Sequence, residues 1–288
     1  MITSPAAEKP EEAVVSQEIV IEAGKTELHY WRDLWRYREL FYFLAWRDIL
    51  VRYKQTAIGI AWAVIQPLST TLVSVFIFQY IAKLPSVGNV PYALMVMAAQ
   101  LPWQFFSRAL SEASNSLISN TNLISKIYFP RLLVPASTLA VGFVDFAISL
   151  SILGMLMIWY EYVPDFRILA APLFIVLTLT ASLGAGLWLA ALTVKYRDFR
   201  FITPFIVQVG FFVSPVWYSS NKFHGFERLI YSLNPMVGAI DGFRWAVFRG
   251  NVPIYWPGLI LSTLTSLFLL TTAIMYFRKT EKSFVDMI

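Results

Sequence analysis

The chain has 288 residues, 57% of them hydrophobic and only 14% charged, with a formal net charge of +5. A soluble domain carries about 25% charged residues, so this chain lacks the polar coat of a water-soluble protein and reads as a membrane protein. It has no cysteine and two histidines, His29 and His224, far apart in sequence. That excludes disulfides, zinc–thiolate sites and thiol nucleophiles, and argues against a metal site of paired imidazoles.

Residues 1–30 read as a cytoplasmic tail, disordered at its start, with Ile19–Ile21 as a short strand. The tail has no basic start followed by an apolar stretch, so it is not a cleavable signal. Gly24-Lys25-Thr26 matches the end of a nucleotide-binding loop, but the glycine required five residues before Gly24 is Ile19. No cofactor is therefore expected on this chain, and any ATPase is a separate one.

Residues 31–54 read as an amphipathic helix lying in the membrane interface. Trp31, Leu34, Trp35, Tyr42, Ala45, Trp46, Ile49 and Tyr53 follow helical spacing on one face, with Trp and Tyr suited to headgroup level. Arg32, Arg36, Glu39 and Arg47 lie largely elsewhere. Arg38 falls on the apolar face, and Leu40, Phe43 and Leu44 fall off it. A surface-packed helix is the alternative.

Residues 55–288 read as an all-α transmembrane domain. A spanning helix needs about 20 mostly apolar residues, and the pattern predicts six: 57–82, 90–110, 132–160, 168–192, 201–218 and 256–277. The fifth is short and interrupted by Pro204 and Pro215. With both termini cytoplasmic, only Lys83, Arg167, Lys222, Arg228, Arg244 and Arg249 lie outside, as the positive-inside rule favours. Residues 219–255 hold two apolar segments too short to cross. They read as re-entrant helices on the outer side, where protein shields the backbone.

Asp145 sits midway along the third span, where a charge is costly. It reads as an inward-facing Asp bonded to Ser, Thr or backbone of a neighbouring helix; a substrate contact or gating partner is the alternative. Asp241 and Arg244, three apart, read as a local ion pair on a re-entrant helix. Catalytic constellations such as HExxH or a cluster of loop carboxylates are absent from the sequence. Aromatic residues make up 16%. Apolar faces of sugars stack on such rings, which makes Trp62, Phe76, Tyr80, Phe105, Phe106, Phe212, Trp217 and Tyr218 candidates for a polymer path.

Three stretches together resemble the membrane subunits of ABC-2-type polysaccharide exporters, which export lipid-linked O-antigen, capsule and teichoic acid polymers. The first is Trp46-Arg47-Asp48 through Arg52-Tyr53-Lys54-Gln55-Thr56, then Gly59, Trp62 and Gln66-Pro67. The second is Asn115 through Lys126, then Phe129-Pro130-Arg131 and Pro135. The third is Tyr196-Arg197-Asp198, Ser214-Pro215-Val216 and Asn234-Pro235-Met236.

The resemblance implies a homodimer in the bacterial inner membrane. Two copies of a separate ATPase subunit would hold ATP and Mg on the cytoplasmic side. A lipid-linked polysaccharide, in the first place O-antigen, would pass between the two membrane subunits. Loop 116–128 would contain the helix that docks on the ATPase, giving Ser119, Asn120, Asn122, Lys126, Tyr128 and Arg131 a coupling role. Alternatives are a capsule or teichoic acid exporter, an ABC-2 exporter of small drugs or lipids, and a membrane-bound glycan-processing enzyme. Nothing in the pattern points to nucleic acid.

Overall fold

The computed structural model describes residues 27–54, 59–281 and 283–284. The strand expected at Ile19–Ile21 and the Gly24-Lys25-Thr26 segment lie outside them. All regular structure among the described residues is helical. In chain order the helices are α1 (Glu27–Arg36), α2 (Arg38–Lys54), α3 (Gly59–Ser74, continued by π-helical turns over Val75–Ile81), α4 (Tyr92–Ser119), α5 (Thr121–Lys126) and α6 (Leu133–Trp159). There follow α7 (Ala171–Lys195, led by a 3-10 turn over Phe166–Ala170), α8 (Phe199–Val213), α9 (Gly225–Tyr231), α10 (Pro235–Val247) and α11 (Trp256–Glu281).

Four helical stretches are long and apolar enough to cross a bilayer: Ala61–Ile81, Leu133–Trp159, Phe166–Lys195 and Trp256–Glu281. The other two expected spans differ for physical reasons. α4 has 28 residues, about 42 Å at 1.5 Å per residue, so its length suffices. It is less apolar because Gln100, Gln104, Arg108 and Glu112 interrupt it. Gln100, Gln104 and Arg108 are sheltered because α4 is the central helix, packed on α3, α6, α7, α8 and α10, whereas Glu112, nearer its end, is half exposed. α4 also runs nine residues past the expected end at 110, which brings Glu112 inside the helix. α8 has 15 residues, about 22 Å. It stops at Val213 because Pro215 cannot continue a helix and forces Ser214 into extended backbone.

Two buried clusters organise the bundle. The larger joins α4, α6, α7 and α10 through residues such as Leu94, Met97, Leu101, Phe174 and Phe243. The second gathers α2, α5, α6, α7 and α11 around Leu44, Ile124, Phe129, Leu187 and Phe277. Small residues let the backbones approach. At Gly184 of α7 a Cβ would lie 2.7 Å from the backbone nitrogen of Leu270 on α11, and at Gly186 it would meet Ala113 of α4 at 2.9 Å.

The expected single helix over 31–54 is two, broken at Tyr37. The imperfect amphipathic pattern has a simple cause: α2 is apolar on two sides. Leu40, Phe41, Leu44 and Ala45 pack inward or are buried, while Tyr42, Phe43 and Trp46 stay exposed. Between α8 and α11, α9 is a short exposed helix, and α10 is buried along nearly its whole 13 residues.

Candidate functional site

The residues of interest lie in four places: the α5 end of the bundle, the charged cluster around Asp145, the α9–α10 end, and the exposed sides of α3 and α8, which both pack on α4.

At the α5 end, Ile124 and Phe129 are buried and anchor α5. Ser119, Asn122, Lys126 and Tyr128 remain exposed beside them. Asn120 is engaged: its Oδ1 accepts from Arg47 Nη2 of α2 at 2.9 Å, and Arg47 also pairs with Asp48 at 2.7 Å. Arg131 is engaged too. Its backbone N–H donates to Glu281 Oε1 at 2.6 Å, and its guanidinium donates to the Glu281 carbonyl. The other oxygen of Glu281 accepts from Tyr30 Oη at 3.1 Å. Burial, together with the adjacent Glu281 charge, pushes the Tyr30 phenol well above its ordinary value, so it stays a donor. Arg131 therefore ties the α5–α6 turn to α1 and α11 rather than projecting outward with Lys126.

Asp145 of α6 does not meet the Ser, Thr or backbone partners expected from sequence. Its carboxylate accepts from Tyr53 Oη of α2 and pairs closely with Arg108 of α4, and Arg52 Nη2 of α2 lies 3.4 Å away. Arg52 also reaches Glu112 of α4 at 4.0 Å. Four charged residues and a tyrosine from three helices thus meet, with Asp145 and Arg108 the most enclosed and Glu112 half exposed. Beside them a cavity of about 20 Å3, room for roughly one water, is lined by Gln66, Gln104 and Ser149 among others. A legible signal was present: Arg108 and Asp145 are opposite charges inside two apolar stretches, and each needs a partner.

At the α9–α10 end the expected Asp241–Arg244 ion pair is not what holds the helix. Arg244 is fully buried and donates to four backbone carbonyls: Met95 at 3.0 Å, Pro215 at 2.7 Å, Val216 at 2.8 Å and Tyr218 at 3.0 Å. The carbonyls of 215–218 belong to the turn that ends α8 and lack helical partners of their own. Tyr92 Oη of α4 holds the same turn through the Trp217 carbonyl at 2.8 Å. Asn234 caps α10 by accepting from Met236 N–H at 3.0 Å and donates to Ser214 Oγ at 3.0 Å; Pro235 occupies the first helical position, where no N–H is needed.

The aromatic candidates divide. Trp62, Phe76 and Tyr80 are 57%, 62% and 69% exposed along one side of α3, and Phe212 is exposed on α8. Gln66, Ser69 and Gln79 share the exposed side of α3, and Gln208 is exposed on α8. Phe105 and Trp217 are buried instead. Phe105 packs on Phe143 and Phe146, and Trp217 on Phe78 and Phe211. Their side chains fill the core rather than a surface. Phe106 and Tyr218 are partly buried.

Among the described residues no group of three or more His, Asp or Glu is placed to hold a metal. The arrangement offers helix–helix joints and exposed aromatic and amide side chains on α3 and α8.

Known proteins resemble the chain over three quarters or more of its length. It is 27% identical over 259 residues to the O-antigen export system permease protein RfbA of Myxococcus xanthus, covering 89% of this chain and 98% of that protein. It is 23% identical to the RfbA protein of Klebsiella pneumoniae, covering 76% of this chain and 86% of that protein. It is also 23% identical to the polysialic acid transport protein KpsM of Escherichia coli, covering 77% and 87%. The ABC-2 type transporter family matches residues 39–248, from the second residue of α2 through α10. The chain therefore belongs to the ABC-2 type transporter family of membrane proteins.

Proposed function

We propose that this chain is the transmembrane subunit of an ATP-driven exporter. It moves a lipid-linked polysaccharide of the O-antigen kind from the cytoplasmic to the outer side of the bacterial inner membrane. The polymer passes between two copies of the subunit. ATP and Mg are held by two copies of a separate ATPase, so this chain is not an enzyme by itself. The relatives named for O-antigen export and polysialic acid transport support the substrate class.

The observation that carries the path is the exposed surface of α3 and α8, two helices that both pack on α4. Its exposed rings stand beside Gln66, Ser69, Gln79 and Gln208, and amides facing lipid would be costly. A second copy across a twofold axis removes that cost and encloses a route lined by Trp62, Phe76, Tyr80 and Phe212. Phe106 and Tyr218 stand at its margin.

In this reading six helices cross the membrane: α3, α4, α6, α7, α8 and α11. Both termini are cytoplasmic. α4 crosses because its polar residues face protein, and α8 because the turn at 214–218 completes its reach. α1 and α2 lie in the interface with Trp31, Trp35 and Trp46 toward lipid headgroups, and α9 and α10 are re-entrant on the outer side. α5 docks on the ATPase through Ser119, Asn122, Lys126 and Tyr128, with Asn120 held in place by Arg47.

The test is deletion of the gene in its host with lipid-linked polysaccharide followed across the inner membrane. Polymer trapped inside, and released only when both this chain and an ATPase are restored, is the expected result. Polymer reaching the surface normally would overturn the reading in favour of a small-molecule or lipid exporter. Failure to make polymer at all would point to a glycan-processing enzyme. Chemical identification of the trapped polymer separates O-antigen from capsule and teichoic acid.

A further inference from the structure

The cluster around Asp145 contains two acids, Asp145 and Glu112, and two bases, Arg52 and Arg108. Arg108 and Glu112 are four apart on α4 and share a face. Asp145 is on α6, and α2 contributes Arg52 and Tyr53. Arg52 stands between the two acids, 3.4 Å from Asp145 and 4.0 Å from Glu112. Asp145 is the more enclosed, with 15% of its side chain exposed against 52% for Glu112.

The numbers of acids and bases matter. A charge left unpaired where Asp145 stands, with little of its side chain exposed, is costly. If Arg52 and Asp145 were the only pair, any displacement of α2 would strand both. Here Asp145 keeps Arg108 when Arg52 leaves, and Arg52 finds Glu112. Each acid then has a base in either arrangement. α2 can shift against α4 and α6 without exposing an unpaired charge to an apolar surrounding. Further along α2, Arg47 grips Asn120 at the start of α5. The same helix is therefore attached to the candidate docking helix and to the crossing helices.

We propose that Asp145, Glu112, Arg52 and Arg108 form a re-pairing joint, in which Arg52 passes from Asp145 to Glu112 as α2 moves and so couples the docking helix α5 to α4 and α6. These are positioning residues, and the proposal rests on the exporter reading above. The joint predicts that the second acid is needed for movement and not for assembly, because Glu112 is half exposed and only distantly paired in the structure.

The test uses the complex of this chain with its ATPase, reconstituted in vesicles with lipid-linked polymer, and reads polymer exported per ATP hydrolysed. Glu112→Gln lowers that ratio about tenfold, within the range usual for coupling between sites, and Glu112→Asp restores most of it. A Glu112→Gln complex that exports as much per ATP as the unaltered one overturns the proposal. A second measurement does not depend on export. The chain has no cysteine, so Leu50→Cys on α2 and Ile118→Cys on α4, both exposed, accept spin labels selectively. Their separation changes during ATP turnover, and the change shrinks in the Glu112→Gln background. No change in the unaltered background, or the same change in both, overturns the joint. Absence of polymer export by the unaltered complex, with the label separation still responding to ATP, instead counts against the exporter reading alone.

Discussion

Arg244 of α10 donates its Nε–H to the carbonyl of Met95 on α4, 149 positions away in sequence, at 3.0 Å. Its remaining guanidinium nitrogens hold the carbonyls of Pro215, Val216 and Tyr218. One side chain thus fastens the end of α8 and the short helix α10 to the central helix. Arg244→Ala leaves those carbonyls without donors in a buried place, at about 1–3 kcal/mol for each unsatisfied group. We expect a loss of at least about 3 kcal/mol, seen as a lower melting temperature in detergent. Arg244→Lys recovers only part, because an ammonium cannot reach carbonyls spread around a planar fork. Equal stability of all three proteins would disprove the role.

Trp62 and Trp217 are both tryptophans at the ends of apolar segments, and the structure separates them. Trp62→Ala on the exposed side of α3 should slow polymer export with the melting temperature nearly unchanged. Trp217→Ala should destabilise the protein by roughly 3–5 kcal/mol, the usual cost of deleting a buried indole. Parallel export and melting measurements check both; a stable Trp217→Ala protein would show that the indole does not support the core.

Lys126 and Arg131 flank the same turn and should likewise diverge. Lys126→Glu changes an exposed charge on the docking helix. We expect normal insertion and folding but weakened association with the ATPase, measured by co-purification. Arg131→Glu sets an acid against Glu281 and removes the guanidinium's hydrogen bond to the Glu281 carbonyl, so the amount of folded protein falls first. Association retained in full by the Lys126→Glu protein would remove Lys126 from the docking surface.

Gly184 sits where α7 meets α11. A Cβ there would lie 2.7 Å from a backbone atom that cannot step aside. Gly184→Val therefore forces the helices apart and lowers the melting temperature more than Gly154→Val, where a Cβ meets nothing within 4 Å. The two proteins compared in the same detergent isolate the packing effect from any change in helix propensity. A Gly184→Val protein no less stable than Gly154→Val would show that the α7–α11 contact gives way without cost.

Apolar segments long enough to cross a membrane were legible in the residue order, because their signal is local. Leu133–Trp159 lies within a residue of each end of the expected 132–160, and the last helix begins at Trp256 as expected. The Asn-Pro start of α10 was visible for the same reason, since a cap depends on neighbours in sequence. The extent of α4 was not visible. Its last turns are polar, and polar residues look like a loop until the helices that shelter them are known. The Asp241–Arg244 spacing suggested an ion pair because spacing registers only neighbours on one helix, whereas Arg244 is satisfied by carbonyls from two other segments.

Composition and hydropathy by themselves determined that this is a helical membrane protein with a polar residue in need of partners at Asp145. Only the tertiary structure decided who those partners are, which rings are core and which are surface, and that Arg131 turns inward. The physical reason is that burial of a charge or an aromatic ring is a property of the surroundings. Those surroundings are assembled here from helices that lie tens to hundreds of residues apart in the chain.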